Sequence, residues 1–169
     1  IKTLDVLDYF LKNNLGIIAV SFTQSKAQLQ KVREKAPKAF IIAKIESKEG
    51  VNNFEEILQT SDGVMVARGD LGEAVSLEKV PCLQKKFTQE TLTKGKFLVA
   101  ATEMLLSMTS DPTPTRAEVS DVANAVFDGA SAVMLSEETA IGKYPVESVR
   151  FMRKIIEEAE KCLDLNLNL

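Results

Sequence analysis

Short apolar, β-rich runs alternate with longer amphipathic stretches along the whole chain. The runs are Gly16–Phe22, Phe40–Glu46, Gly63–Arg68, Phe97–Thr102 and Ala132–Ser136. Each is continuously apolar rather than alternating, the pattern of strands buried on both faces of a parallel sheet. Helical patterns of roughly 10–20 residues lie between them. One opens on Ser25 as an N-cap and runs to Glu34, another begins at Thr115-Arg-Ala-Glu118, which reads as a capping box, and the last runs from Tyr144-Pro145 to about Leu163. The order is therefore a helix followed by five strand–helix units. Right-handed crossovers let such an order form either an open doubly wound sheet or part of an α/β (β/α)8 TIM barrel. No G-x-G-x-x-G loop follows a strand, which counts against the dinucleotide-binding form. A complete barrel takes about 250 residues, so this chain of 169 supplies about five repeats of it. A five-strand arc would leave its edges unpaired and its apolar interior in water, so the remaining strands are expected elsewhere. The chain opens on Ile1 rather than Met, and a longer parent is expected. Residues 1–163 read as the barrel portion and 164–169 as a tail, a frayed or cut end.

Charge and composition narrow the chemistry. Lys plus Arg number 21 against 24 Asp plus Glu, a net charge of -3, so the basic excess that drives nucleic-acid binding is missing. The absence of any histidine removes Ser-His-Asp and Cys-His machinery, H-E-x-x-H zinc sites and an imidazole base. Cys82 and Cys162 lie far apart and suggest neither a disulfide scaffold nor a structural zinc site, which fits a reducing compartment. No apolar run approaches the roughly 20 residues that span a bilayer, and no signal-peptide h-region opens the chain. Neither nucleic acid nor membrane is expected as a partner.

The polar residues of interest fall at the C-terminal ends of the apolar runs, the mouth where barrel active sites are built. Lys44 and Glu46 are two apart, so period 2 directs both to one side and Ile45 to the other. The next run ends Ala67-Arg68-Gly69-Asp70, where glycine permits close backbone approach and Asp70 stands at an expected helix start; free N–H groups at such a turn attract a carboxylate or phosphate. Glu46 and Asp70 from adjacent strands would offer a hard divalent cation two carboxylates and leave its other positions to water and substrate oxygens. Thr102 adds a hydroxyl to the same rim. A structural alternative is open on spacing alone: a Lys44–Glu46 salt bridge, a capping Asp70, and an Arg68 that neutralises nearby carboxylates.

The residues themselves resemble the pyruvate kinase family over essentially the whole chain. The matching segments are Lys44-Ile-Glu46, Ser61 to Gly72, Ala101-Thr102 with Met104-Leu105 and Ser107-Met108, Pro114 to Val126, and Met134-Leu-Ser136 with Glu138-Thr-Ala140, in that family's order and spacing. The resemblance implies the second part of the catalytic barrel, from the helix before its fourth strand through its last helix. It implies transfer of a phosphoryl group from phosphoenolpyruvate to ADP, giving pyruvate and ATP in glycolysis, with Mg²⁺ (or Mn²⁺) and K⁺, the K⁺ ligands lying outside this segment. Matched residue by residue, Lys44 and Thr102 are the catalytic positions and Glu46 and Asp70 the metal ligands. Ala67, Arg68, Gly69 and Asp70 hold phosphoenolpyruvate together with Lys44 and Thr102, and Ser136 lies on the nucleotide side. The family implies a homotetramer in the cytoplasm, although Pro112-Thr-Pro-Thr-Arg116 also resembles plastid-type relatives. It puts the helix carrying Arg116 and Glu118 near a subunit interface. The segment alone is expected to be inactive.

Several positions depart from the family. Glu137 replaces a glycine, which would strain the backbone if that position needs φ > 0; Glu103 stands for Gln and Leu106 for Glu. Glu73-Ala-Val-Ser76 has lost a proline, and Gln24 replaces a residue that is commonly basic. Two of these changes add negative charge at a mouth that anionic substrates approach. They keep two other readings in view: a non-catalytic oligomerisation or regulatory subunit, and a Mg²⁺-dependent lyase or aldolase on a related barrel. Phe22, Phe54, Phe87, Phe97, Phe127 and Phe151 are expected to pack strands and helices, and Cys82 and Cys162 to be ordinary helix residues.

Overall fold

The computed structural model describes residues 2–165. Nine α-helices and five strands follow one another among them: α1 (Lys2–Lys12), β1 (Ile17–Val20), α2 (Lys26–Lys35), β2 (Phe40–Ile45), α3 (Lys48–Asn52), α4 (Phe54–Thr60), β3 (Gly63–Ala67), α5 (Arg68–Val75), α6 (Val80–Thr93), β4 (Phe97–Ala101), α7 (Arg116–Phe127), β5 (Ala132–Met134), α8 (Glu137–Ala140) and α9 (Pro145–Asp164). The strands are all parallel and hydrogen-bonded in sequential order, β1-β2-β3-β4-β5. Sequential parallel order belongs to an arc of a (β/α) barrel, whereas a doubly wound sheet reverses its order at a switch point.

Alternation along each strand sorts side chains to two faces. Ile18, Val20, Ile41, Ala43, Ile45, Val64, Val66 and Leu98 share one core with helix residues Leu29, Val32, Ile57, Leu71 and Phe87. Ala100 continues that outer face into a second core with Val122, Ala125, Met152 and Ile155. Burying each Leu or Ile of these layers contributes about 1.5–3 kcal/mol. Phe54 of α4 stacks on Phe87 of α6, ring centroids 4.0 Å apart, joining two helices that cover neighbouring strands. The other face carries a smaller cluster of Ile42, Met65, Val99 and Ala101. Register aligns Lys44, Met65, Val99 and Ala132 in one row of that inner face, with Ala67, Ala101 and Met134 in the row nearer the mouth. Toward the rims the inner face is open: Ile17 is 63% exposed, Phe40 38%, Phe97 37% and Met134 36%.

Local differences from the sequence reading have physical causes. The first strand stops at Val20 because Phe22 turns to φ 48. Phe22 is also 51% exposed, so it does not pack the core as Phe54 and Phe87 do. Ser25 occupies the N-cap of α2 but makes no side-chain cap; nearby, Gln28 Oε1 accepts from Gln24 N–H at 2.7 Å and Glu56 Oε1 from Lys26 N–H at 3.3 Å. The capping box of α7 is present in both directions. Cys82 and Cys162 lie on α6 and α9 as free thiols. Asn166 to Leu169, most of the expected tail, lie outside the described residues, and α9 runs to Asp164.

At the N-terminal end of the arc, Arg33 donates to Ala39 O at 2.5 Å and pairs with Asp62, which also accepts from Ile41 N–H at 2.8 Å. Lys96 donates to the carbonyls of Leu58, Gln59 and Ser61, capping the end of α4. Gly63 sits between β2 and β4 where Phe40 and Phe97 meet edge to face, 6.1 Å between centroids. A Cβ there would lie 2.8 Å from Phe97 O and 3.1 Å from Phe97 Cβ. Gly63→Ala should therefore force β3 and β4 apart and cost about 1–3 kcal/mol, read as a lower urea midpoint. An unchanged midpoint would show that the strands accommodate a methyl.

Candidate functional site

The inner face delivers Lys44 to the mouth because β2 is hydrogen-bonded on both sides, which fixes the direction of each of its side chains. Lys44 Nζ lies 2.7 Å from Glu46 Oε1, with the lysine side chain 23% and the glutamate 1% exposed. Lys44 also donates to Ser21 Oγ at 3.3 Å. The second oxygen, Glu46 Oε2, accepts from Phe22 N–H at 2.5 Å. That bond needs the left-handed turn at Phe22, so the φ of 48 orients a backbone donor at a buried carboxylate. Phe22 and Ser21 thus belong to the site through groups that no side-chain pattern displays.

The second carboxylate comes from the adjacent strand. β3 ends at Ala67 and α5 begins at once with Arg68, two residues before Asp70. Ala67 holds the N-cap position and offers no side-chain cap, so Asp70, exposed in the first turn, is not the capping residue of the structural alternative. Among the described residues no group of three or more His, Cys, Asp or Glu side chains is set to hold a metal ion. The carboxylates are Glu46 just past the end of β2, buried and engaged at both oxygens, and Asp70 in the first turn of α5, exposed to solvent. Hard oxygen donors with room for several other ligands suit Mg²⁺, which keeps water and substrate oxygens in its shell.

Arg68 turns away from this pair. Its Nε and Nη2 donate to Thr102 O at 3.1 and 2.7 Å, and its Nη1 lies 2.6 Å from Asp121 Oδ2 and 2.8 Å from Asp121 Oδ1. The guanidinium is thus committed to the loop after β4 and to α7, as the neutralising role anticipates. The two partners flank a cleft of about 510 Å³ between α6 and α7, which Gln84 and Glu103 also line. Thr102 itself lies in the left-handed region at φ 78, followed by Glu103 at φ 54. Such residues cost of order 1–3 kcal/mol each and persist only where surroundings hold them. A Cβ on Gly69 would come 2.8 Å from Thr102 Cγ2, so the glycine is what lets the backbone after β3 approach Thr102.

The loop after β4 is tied down by two carboxylates. Glu118 accepts from Ser107 N–H at 2.7 Å, Ser107 Oγ–H at 2.5 Å, Thr115 N–H at 2.7 Å and Thr115 Oγ–H at 2.9 Å. Partial burial opposes its charge, yet the bonds from Ser107 and Thr115 outweigh burial and hold its pKa below the ordinary carboxyl value. Glu138, fully buried, accepts from Leu105 N–H at 2.9 Å and Ser136 N–H at 2.8 Å. Ser136 therefore reaches the mouth as a backbone turn beside Glu138. Glu137, in place of the usual glycine, starts α8 without a positive φ, so the strain considered for it does not arise. Glu103, Glu137, Glu73 and Gln24 are exposed, and Leu106 is half-buried. No helix of the described residues is long and apolar enough to cross a membrane.

A family model described as pyruvate kinase, barrel domain, matches residues 2–149. A pyruvate kinase of Chlamydia muridarum is 49% identical over 168 residues, covering 96% of this chain and 35% of that protein. One of Thermococcus litoralis is 46% identical over 164 residues, covering 95% and 34%, and one of Geobacillus stearothermophilus 48% over 165 residues, covering 95% and 28%. The chain thus spans about a third of the length of the curated relatives it matches.

The Glu118 bonds make stability depend on acid. Its pKa is lower folded than the ordinary 4.5, so it contributes stability above pH 4.5 and loses that contribution as pH falls through the folded value. Asp62 adds to the same slope: burial opposes its charge too, but the Ile41 amide and Arg33 outweigh it and lower its pKa. Glu118→Gln should lower the thermal midpoint at pH 7 and flatten its fall below pH 4.5; identical acid slopes for both proteins would exclude Glu118 as a contributor.

Proposed function

Because this chain belongs to the pyruvate kinase family, we propose that it carries the phosphoryl-transfer side of an active site that moves a phosphoryl group from phosphoenolpyruvate to ADP. The observation that carries this reading is the buried Lys44–Glu46 pair at the C-terminal end of β2, with Asp70 in the first turn of the helix that follows the adjacent parallel strand β3. Phosphoryl transfer requires positioning and charge neutralisation more than covalent chemistry from the protein.

Glu46 and Asp70 would hold Mg²⁺, or Mn²⁺. When bound, the cation neutralises charge on the transferred phosphoryl group and on the substrate oxygens. Lys44 supplies the second positive charge, close to the oxygen that becomes an enolate when the P–O bond to the enol breaks and a new one forms to the ADP β-phosphate. The buried Glu46 keeps the ammonium paired before substrate arrives, and the exposed quarter of Lys44 faces the mouth. N–H groups at Ala67, Gly69 and Asp70, in the first turn of α5, suit the substrate carboxylate, with Arg68 contributing its backbone while its side chain holds Thr102. Thr102 orients its hydroxyl at the rim near the enolate carbon, which must gain a proton to give pyruvate. Ser136 takes the nucleotide side. K⁺ would be held by groups outside this chain.

In this reading the protein acts in glycolysis, in the cytoplasm or, as the Pro112–Arg116 segment also allows, in a plastid, and assembles as a homotetramer with α7 near the subunit interface. The exposed acids Glu103 and Glu137 favour one second reading, a non-catalytic subunit that has drifted from substrate binding. The test is pyruvate formation by the intact protein with Mg²⁺, K⁺, phosphoenolpyruvate and ADP. Lys44→Met should lower kcat roughly 10³-fold with a smaller change in KM. Equal background rates in both folded proteins would leave the non-catalytic subunit; Mg²⁺-dependent C–C cleavage without nucleotide would indicate the lyase.

A further inference from the structure

Glu138 has no role in the chemistry above, yet it is 0% exposed and, among the described residues, forms no ion pair. A buried carboxylate without a cation is costly unless its oxygens are hydrogen-bonded. Oε1 accepts from Leu105 N–H in the loop after β4, and Oε2 from Ser136 N–H in the turn after β5. The two segments meet again where Lys143 N–H donates to Thr109 O at 2.8 Å. At Gly142 an added Cβ would lie 2.4 Å from Glu138 O and 3.1 Å from Thr109 Cα, so backbone packs directly on backbone there.

Leu105 is three residues beyond Thr102. Arg68 holds the carbonyl at one end of the intervening segment and Glu138 the amide at the other. Thr102 and Glu103, both left-handed, lie at or between those two holds. Met104 and Leu105, each 0% exposed, anchor the far end in the core. Releasing either end would let the pair relax toward ordinary φ and swing the Thr102 hydroxyl. The structure assigns Glu138 as a positioning residue whose single buried carboxylate fixes Thr102 and Ser136 relative to each other, so that the phosphoenolpyruvate and nucleotide sides of the mouth are held as one body. This assignment rests on the functional reading above for the identity of the two sides.

Glu138→Gln tests it, because the amide keeps the shape, retains one acceptor and presents N–H to the other backbone donor. In the intact protein kcat should fall about 100-fold from misplacement of the reacting groups, with KM for both substrates changed much less. Hydrogen exchange gives a readout apart from activity. In the unmodified protein the Leu105 and Ser136 amides should open together with matching protection, and both should lose it in the variant while the core amides of β3 and β4 keep theirs. Unchanged kcat, or a Leu105 amide still protected after Ser136 has opened, overturns the assignment. Should the variant fail to fold, the unmodified protein decides alone: matched protection supports the coupling and a mismatch beyond about tenfold overturns it. Absence of pyruvate formation by the unmodified protein would refute the functional reading instead, and the exchange result would still judge the coupling.

Discussion

Parallel hydrogen bonding between β2, β3 and β4 decides which side chains stand level with one another, and the rest of the molecule is arranged around that register. It puts Ile41, Ala43 and Ile45 under the helices, and by the same alternation turns Lys44 to the inner face. A slip of one residue would exchange the two sets, burying an ammonium beneath α2 and α4 and exposing isoleucines to the interior. The hydrophobic layers outside thus enforce the polar geometry inside. Small residues, Ala67 and Ala101, occupy the row next to the mouth, one step above that of Lys44.

Carboxylates then convert a stiff sheet into an ordered rim. Glu46 gathers Phe22 N–H and Lys44, Glu118 gathers Ser107 and Thr115, and Glu138 gathers Leu105 and Ser136. Glu46 and Glu138 bridge segments that leave different strands, and Glu118 closes the single loop between β4 and α7. Asp121 does the same through Arg68, whose forked donors reach both Thr102 and α7. Bidentate and charge-assisted bonds of this kind are shorter and stronger than neutral ones, and so can hold loops in conformations the chain would not otherwise adopt.

What was legible in the sequence follows from the range of the interaction. Period 2 sufficed to bring Lys44 and Glu46 together, and Thr115 and Glu118 announced their capping box three residues apart, because both are local. The unbroken apolar runs disclosed parallel strands, and the motif from Ser61 to Gly72 disclosed the family. The rest depends on partners distant in sequence or on backbone groups. Arg68 meets Asp121 across 53 positions, and Glu138 meets Leu105 across 33. Ser25 holds the N-cap position without a side-chain cap, while the start of α2 is tied by Gln28 to Gln24 N–H and by Glu56, 30 positions away, to Lys26 N–H. Nothing in the letters at 22, 102 and 103 signals a left-handed turn, since none is glycine, asparagine or aspartate.

Among the described residues, three of the five non-glycine positions with positive φ, namely Phe22, Thr102 and Glu103, stand at the mouth. Replacing them with residues that favour this region would steady the fold, but would also alter the side chains that line the mouth. Adaptation to heat therefore has little freedom here. A lineage moving into a hotter habitat would gain its tolerance on helix surfaces, extending pairs such as Arg153–Glu157 and Lys161–Glu158 on α9. The rim would keep the same unfavourable torsions across relatives from cold and hot environments alike.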